Sequence, residues 1–232
     1  MILNTPANPT GKVWSREELE TVAALVKKYD TFLITDETYA FITKPGVDHV
    51  PPATLPGMAP RTVTIVSFSK TYAVTGWRVG FAAAPAEIME AIRKVHDFLT
   101  VCAPAPFQAA LHEALVLPDE YYARLREAYR RRHDLLSRGL QRAGWRVNDP
   151  MGTYFLLVDL RQWDIDDDRA WAGRLARERG VAGVPGSAFL WDGIPREDDL
   201  PPDRRGRFLR LSFGKQEPLL IEAVERLSTG PP

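Results

Sequence analysis

In the stretch SFSKTYAVTGWRVG, Ser67 to Gly80, a lysine stands just past an apolar run and an arginine follows eight residues later. A lysine ammonium is a weak nucleophile while protonated. A dry, electropositive setting lowers its pKa and frees the lone pair for attack on an aldehyde. Lys70, flanked by hydroxyls and backed by a glycine-bounded turn, is therefore read as a candidate Schiff-base nucleophile. Such chemistry needs company. An aldehyde cofactor with a heteroaromatic ring requires an acid beside its ring nitrogen, an anion site, and donors to its ring oxygen. Asp36, at the end of the run TFLIT, is placed for the first of these tasks.

Strands must deliver these groups. Met1-Ile2-Leu3 reads as a buried strand with no lead-in, which predicts that an N-terminal part of the protein is absent from this chain. TFLIT (residues 31–35) and TVTIVSF (62–68) are short, apolar and rich in β-branched residues, as buried parallel strands are. Asn8, Asp36 and Lys70 follow the three runs, and WRVGFAAA (77–84) is close enough to pair with the third. Ser15 and Glu18 form a capping box ahead of a helix whose apolar face carries Leu19, Val22, Ala23, Leu25 and Val26. Pro85 opens an amphipathic helix, FQAALHEALVL another, and a long polar helix runs from Glu120 to about Arg142.

Alternating strands and helices predict an α/β fold with a mainly parallel sheet, whose ligands gather beyond the carboxyl ends of the strands. Beyond a domain change near residue 118, GWRVNDP, GTYFLLVDL, VAGVPGSAF and RFLRLSFG read as short strands of a smaller α+β domain. Residues 1–118 and 119–232 are thus expected to be two domains. Within 232 residues, 30 Lys and Arg balance 30 Asp and Glu, so nothing global points to nucleic acid or to an anionic membrane. The RLREAYRRRH run is read as a solvated helix face. One cysteine, Cys102, expected to be buried, rules out an internal disulfide framework and suits a reducing, cytoplasmic setting. His49, His96, His112 and His133 have no spacing that suggests a metal site.

NTPANPTG, ITDETY, SFSKTYAVTGWRVG and FLRLSFG, in this order, resemble the motifs of the class I/II (fold type I) pyridoxal-phosphate aminotransferases. The resemblance runs along essentially the whole chain. It implies the large domain of that fold, incomplete, followed by its small domain. It implies Lys70 as the Schiff-base lysine and proton shuttle, and Asp36 as partner of the pyridine nitrogen. Asn8 and Tyr39 become donors to the ring oxygen, Ser67 and Arg78 phosphate contacts, and Arg210 the clamp on the substrate α-carboxylate. Ser69 is an alternative to Ser67. The implied cofactor is pyridoxal 5'-phosphate, the substrates an amino acid and a 2-oxo acid, and the assembly a homodimer.

DHVPPATLPGM, with PRT and KVHDF behind it, is similar to the kynurenine/glutamine/methionine branch of the family. Members carry a phosphate loop, a ring-stacking aromatic and an N-terminal arm upstream of Asn-Pro-Thr-Gly, so the expectation is a truncated enzyme whose activity as a separate chain is in question. A cysteine-conjugate β-lyase would use the same residues, and a non-catalytic fragment would keep them without turnover.

Overall fold

The computed structural model describes residues 1–165, 167–189 and 207–230. Ser15 caps helix α1, Arg16–Lys28: its hydroxyl accepts from the Glu18 amide at 3.3 Å while Glu18 accepts from the Ser15 amide at 2.9 Å. The reciprocal bonds satisfy two donors that a helix start otherwise leaves open. The buried stripe Leu19, Val22, Ala23 and Val26 packs against Leu3 of strand β1, Ile2–Asn4, and Leu33 of β2, Leu33–Asp36. Leu25, expected on the same face, is exposed, because it lies one position before Val26 and so turns about 100° away from the stripe. Leu55 and Met58 close this core. Each large aliphatic side chain sealed here contributes about 1.5–3 kcal/mol.

Strands β1, β2 and β3, Thr62–Ser67, pair in parallel, and β4, Gly80–Ala83, joins β3 antiparallel, giving the order β1-β2-β3-β4. The sheet is therefore mixed, with two parallel pairs and one antiparallel pair. β4 starts later than the expected Trp77 because Thr75–Trp77 form a 3-10 turn, closed by Arg78 in a left-handed conformation. Gly80 is required where β4 meets β3: a Cβ there would stand 2.5 Å from the carbonyl oxygen of Val66.

Helices α2, Phe68–Thr71, α3, Ala86–Leu99, α4, Ala105–Ala114, and α5, Asp119–Arg142, follow. The amphipathic α3 has no buried residue, and Phe98 is 90% exposed. Cys102, in the link after α3, is exposed, against the expected burial: its neighbour Ala103 packs on the small cluster of Phe68, Val79 and Leu111, and Cys102 is not among the residues packed there.

Contacts group the chain into two units, one of Met1–Asn8, Lys12–Arg126 and Met151–Thr153, the other of Pro9–Gly11, Glu127–Pro150 and Tyr154–Pro232. The division between these units falls inside α5, after Arg126. A continuous polar helix carries no sequence mark where its neighbours change.

In the second unit, β5, Phe155–Asp159, β6, Val184–Pro185, and β7, Phe208–Ser212, form an antiparallel sheet of order β5-β7-β6. Helices α6, Asp168–Arg179, and α7, Glu217–Leu227, pack with the second half of α5 on a core holding Leu140, Trp145, Leu156, Leu175, Leu209 and Leu227. Two expected strands shrink. GWRVNDP supplies a single bridge, Val147 to Val158, and VAGVPGSAF yields only Val184–Pro185 before a 3-10 turn. Pro185 has no N–H with which to extend the ladder. On α5, Arg130 pairs with Glu127 and Asp134, both at 2.8 Å, so part of the basic run is neutralised locally. Among the described residues no helix is long and apolar enough to cross a membrane.

Candidate functional site

Parallel strands finish on a common side, so the carboxyl ends of β1, β2 and β3 share one edge of the sheet. The register sets Asn4 beside Asp36 and Asp36 beside Ile65. Side chains alternate along a strand, so Asn4, Asp36, Ile65 and Ser67 belong to one face and Thr35, Glu37 and Thr64 to the other.

Asn4 knits this edge. Its Nδ2 donates to the Asp36 carbonyl at 3.1 Å, and its Oδ1 accepts from the Asn8 amide at 2.7 Å. The Thr5 amide adds a 3.0 Å bond to the same Asp36 carbonyl. Asn8, expected directly after the strand, thus sits four residues beyond its end and is exposed. The part played by Asn4 was not read from the sequence; an Asn that closes a strand ahead of a Pro-rich turn was the available signal. Tyr39 is buried, 5% exposed, in the turn that follows β2.

Asp36 is exposed, and its Oδ1 accepts from the Thr38 amide at 3.1 Å. Lys70 is half-buried in α2, which leaves β3 without a loop. Ser67 caps that helix: its Oγ accepts from the Ser69 amide at 3.2 Å and donates to Ser69 Oγ at 2.8 Å. Ser69 is only 3% exposed while Ser67 is half-buried, so Ser67 carries the more accessible of the two hydroxyls. Arg78 is exposed at φ 55° and donates from Nη1 to the Thr75 carbonyl at 3.2 Å. Among the described residues, Asp36, Lys70 and Arg78 have no side chain of opposite charge in ion-pair range.

Aromatic packing fixes the turn behind the lysine. Tyr121 Oη donates to the Thr71 carbonyl at 2.7 Å, and its ring stacks on Tyr72 at 5.8 Å. Tyr72 and Tyr122 share a 2.9 Å hydroxyl bond. Burial, and then the Tyr122 phenol, pushes the Tyr72 hydroxyl well above its usual range, so it stays protonated at neutral pH. On the opposite face of the sheet, His49 Nε2 meets Glu37 Oε2 at 2.6 Å, a pair that sequence spacing did not reveal. Among the described residues no group of three or more His, Cys, Asp or Glu could hold a metal ion. In the second unit, Arg210 of β7 lies beside Leu157 and Val184, its guanidinium 4.0 Å from the Phe155 ring and 4.8 Å from the Phe189 ring. Those π-faces offset part of the cost of half-burying the charge.

The model of the family "Aminotransferase class I and II" matches residues 1–227. The chain belongs to the class I and II aminotransferases. Probable N-succinyldiaminopimelate aminotransferase of Mycobacterium tuberculosis is 38% identical over 228 residues, covering 98% of this chain and 57% of the relative. Methionine aminotransferase of Escherichia coli is 37% identical, with coverage of 98% and 56%. Human kynurenine--oxoglutarate transaminase 1 is 34% identical, also with 98% and 56%. The solved structure of N-succinyldiaminopimelate aminotransferase from M. tuberculosis superposes with a TM-score of 0.89 over 98% of this chain and 57% of that one. The branch that the motifs resembled is therefore represented, beside the diaminopimelate enzyme. This aminotransferase chain spans a little over half the length of these relatives.

The family uses pyridoxal phosphate, and the described residues fit its chemistry. A pyridine nitrogen needs a carboxylate not already claimed by a cation, and Asp36 accepts one amide and no ion pair. A phosphate needs an uncommitted guanidinium, and Arg78 spends one N–H on a carbonyl. An aldehyde needs an amine without a carboxylate clamp, and Lys70 has none among the described residues.

Proposed function

We propose that this chain carries the lysine-bearing part of a pyridoxal-phosphate aminotransferase that moves an amino group between an L-amino acid and a 2-oxo acid. The observation that supports it is the parallel register that puts the carboxyl ends of β1, β2 and β3 on one edge, where Asp36 closes β2 and Asn8 and Lys70 follow β1 and β3, with Asp36 and Lys70 lacking counter-charges among the described residues.

When bound, pyridoxal phosphate supplies an aldehyde and a protonated pyridine ring that draws electrons from the substrate α-carbon. In this reading the Asp36 carboxylate keeps the proton on the ring nitrogen by charge pairing. Asn8 and Tyr39 donate to the ring oxygen. Ser67 and Arg78 hold the phosphate, the arginine through its planar fork. Lys70 Nζ would hold the aldehyde group, with loss of water, and, once the substrate amine has taken that place, would serve as the base that receives and passes on the substrate α-proton. Arg210 recognises the substrate α-carboxylate. The second half of the cycle reverses these proton movements with another oxo acid.

The test is optical. Purified chain titrated with pyridoxal phosphate develops a saturable visible absorption, and Lys70→Ala does not. Adding methionine or kynurenine without an oxo acid then removes that absorption and releases the matching 2-oxo acid. Identical spectra for wild type and Lys70→Ala refute the reading.

A further inference from the structure

We propose that the buried Glu37–His49 pair is the positioning device for Asp36, acting across the sheet from the face that holds the site. The inference rests on the reading above for what Asp36 does, but its geometry stands alone.

Asp36 and Glu37 are consecutive carboxylates with opposite surroundings. Asp36 is exposed, whereas Glu37 is 2% exposed and points to the far face. There Glu37 Oε1 accepts from Thr35 Oγ1 at 2.7 Å and from Thr64 Oγ1 at 3.3 Å, while Oε2 meets His49 Nε2 at 2.6 Å. The side chains of the pair are 3% and 6% exposed. The Glu37 amide also donates to the Ile65 carbonyl at 2.8 Å. Glu37 is thereby held by β2 itself, by β3, and by the segment that brings His49 from twelve residues downstream.

This matters for its neighbour because the peptide between the two residues is planar. Redirecting the Cα–Cβ bond of Asp36, as distinct from spinning its side chain, requires rotation about the bonds flanking that peptide, and the rotation would pull the Glu37 carboxylate off its three partners. A carboxylate buried at this depth has no water to replace them. Thr35, Thr64 and His49 therefore restrict the direction in which Asp36 leaves the sheet. On the site face only the Thr38 amide touches the Asp36 carboxylate among the described residues, so little there could do the same work. His49 also leaves Nδ1 buried without a hydrogen-bond partner among the described residues. A histidine placed solely to satisfy polar groups would be expected to use both nitrogens. This one is committed to the carboxylate.

The experiment combines a cofactor-free and a cofactor-dependent readout. In the apo chain, the exchange rate of the Thr38 amide reports how well Asp36 Oδ1 is presented. His49→Phe should accelerate it about tenfold, while His49→Gln, which keeps a donor to Glu37, should restore most of the protection. Val26→Ala, an α1 core truncation that destabilises without touching the pair, should leave the rate unchanged. For pyridoxal phosphate, His49→Phe should raise Kd about tenfold and His49→Gln much less. In an Asp36→Ala background His49→Phe should add nothing to either readout, because the residue being positioned is gone. Unchanged Thr38 exchange in His49→Phe overturns the proposal. So does an effect of equal size with and without Asp36. A wild-type chain that binds no pyridoxal phosphate yet shows the predicted exchange pattern would overturn the functional reading alone.

Discussion

At the carboxyl edge of β1–β3, Asp36, Lys70 and Arg78 have no opposite charge among the described residues, while in the second unit charge is settled close to home. There Arg161 grips Asp159 through bonds of 2.8 and 2.9 Å, and Asp168 accepts from the Ser187 hydroxyl and amide, both at 2.7 Å. The core behind them is large, with Trp145, Leu156 and Leu209 at 2% exposure or less. Where stability alone is at stake, neighbouring groups neutralise each other. At the strand edge, exposure keeps the cost of leaving Asp36 and Arg78 unpaired low, and the valences stay available for a ligand. In the proposed reading the strand edge receives the cofactor, while these second-unit pairs hold the chain together and leave ligand recognition there to Arg210.

The largest expected effect that would sharpen this contrast is on the receiving side. Lys70→Ala should lose the visible absorption with pyridoxal phosphate completely, yet change unfolding free energy by no more than about 0.5 kcal/mol. The reverse profile is expected in the second unit. Leu156→Ala, at a fully buried position of β5, should lose about 2–5 kcal/mol in urea unfolding. A comparable loss from Lys70→Ala would break the comparison. Next in size, Asp168→Ala strips the acceptor from the Ser187 amide and hydroxyl and should cost about 1–3 kcal/mol by the same measurement.

The smallest effect concerns pH. The Arg161 guanidinium holds the Asp159 carboxyl below its usual range. A carboxylate whose folded pKa is depressed contributes stability that is fully present above the ordinary value of 3.8 and fades as pH falls through the folded value. Asp159 is partly exposed, so solvent screening limits the contribution to about 1 kcal/mol or less. Asp159→Asn should remove that acid-limb slope while leaving neutral-pH spectra with pyridoxal phosphate unchanged. A steeper acid limb in the variant would contradict the assignment.

Much of this arrangement could be read from residues in order. The capping box at Ser15 and Glu18, the apolar stripe of α1 and the β-branched runs of β2 and β3 depend on neighbours within a few positions, and those periodicities survive into the fold. The short elements did not read as clearly. Val184–Pro185 and the bridge at Val147 are decided by which partner strand is within reach, and that is a tertiary property. The start of β4 turned on the left-handed backbone at Arg78, a conformation residue type does not announce. At the candidate site, the placing of Asp36 at the end of β2 and of Lys70 just past β3 was legible because each follows an apolar run. Asn4 was hidden because it acts through the strand beside it. The Glu37–His49 pair was hidden for a similar reason: its members stand twelve positions apart in the sequence, and only folding closes the gap.

The central claim is that Lys70 and Asp36 serve the same ring. Borohydride reduction of the chain incubated with pyridoxal phosphate, followed by mass mapping of the labelled peptides, tests it most directly. The account predicts near-stoichiometric label on Lys70, with exposed Lys12 and Lys94 almost bare, and a marked fall at Lys70 alone in Asp36→Ala. Label spread evenly over the exposed lysines, or a Lys70 signal indifferent to the loss of Asp36, would contradict it.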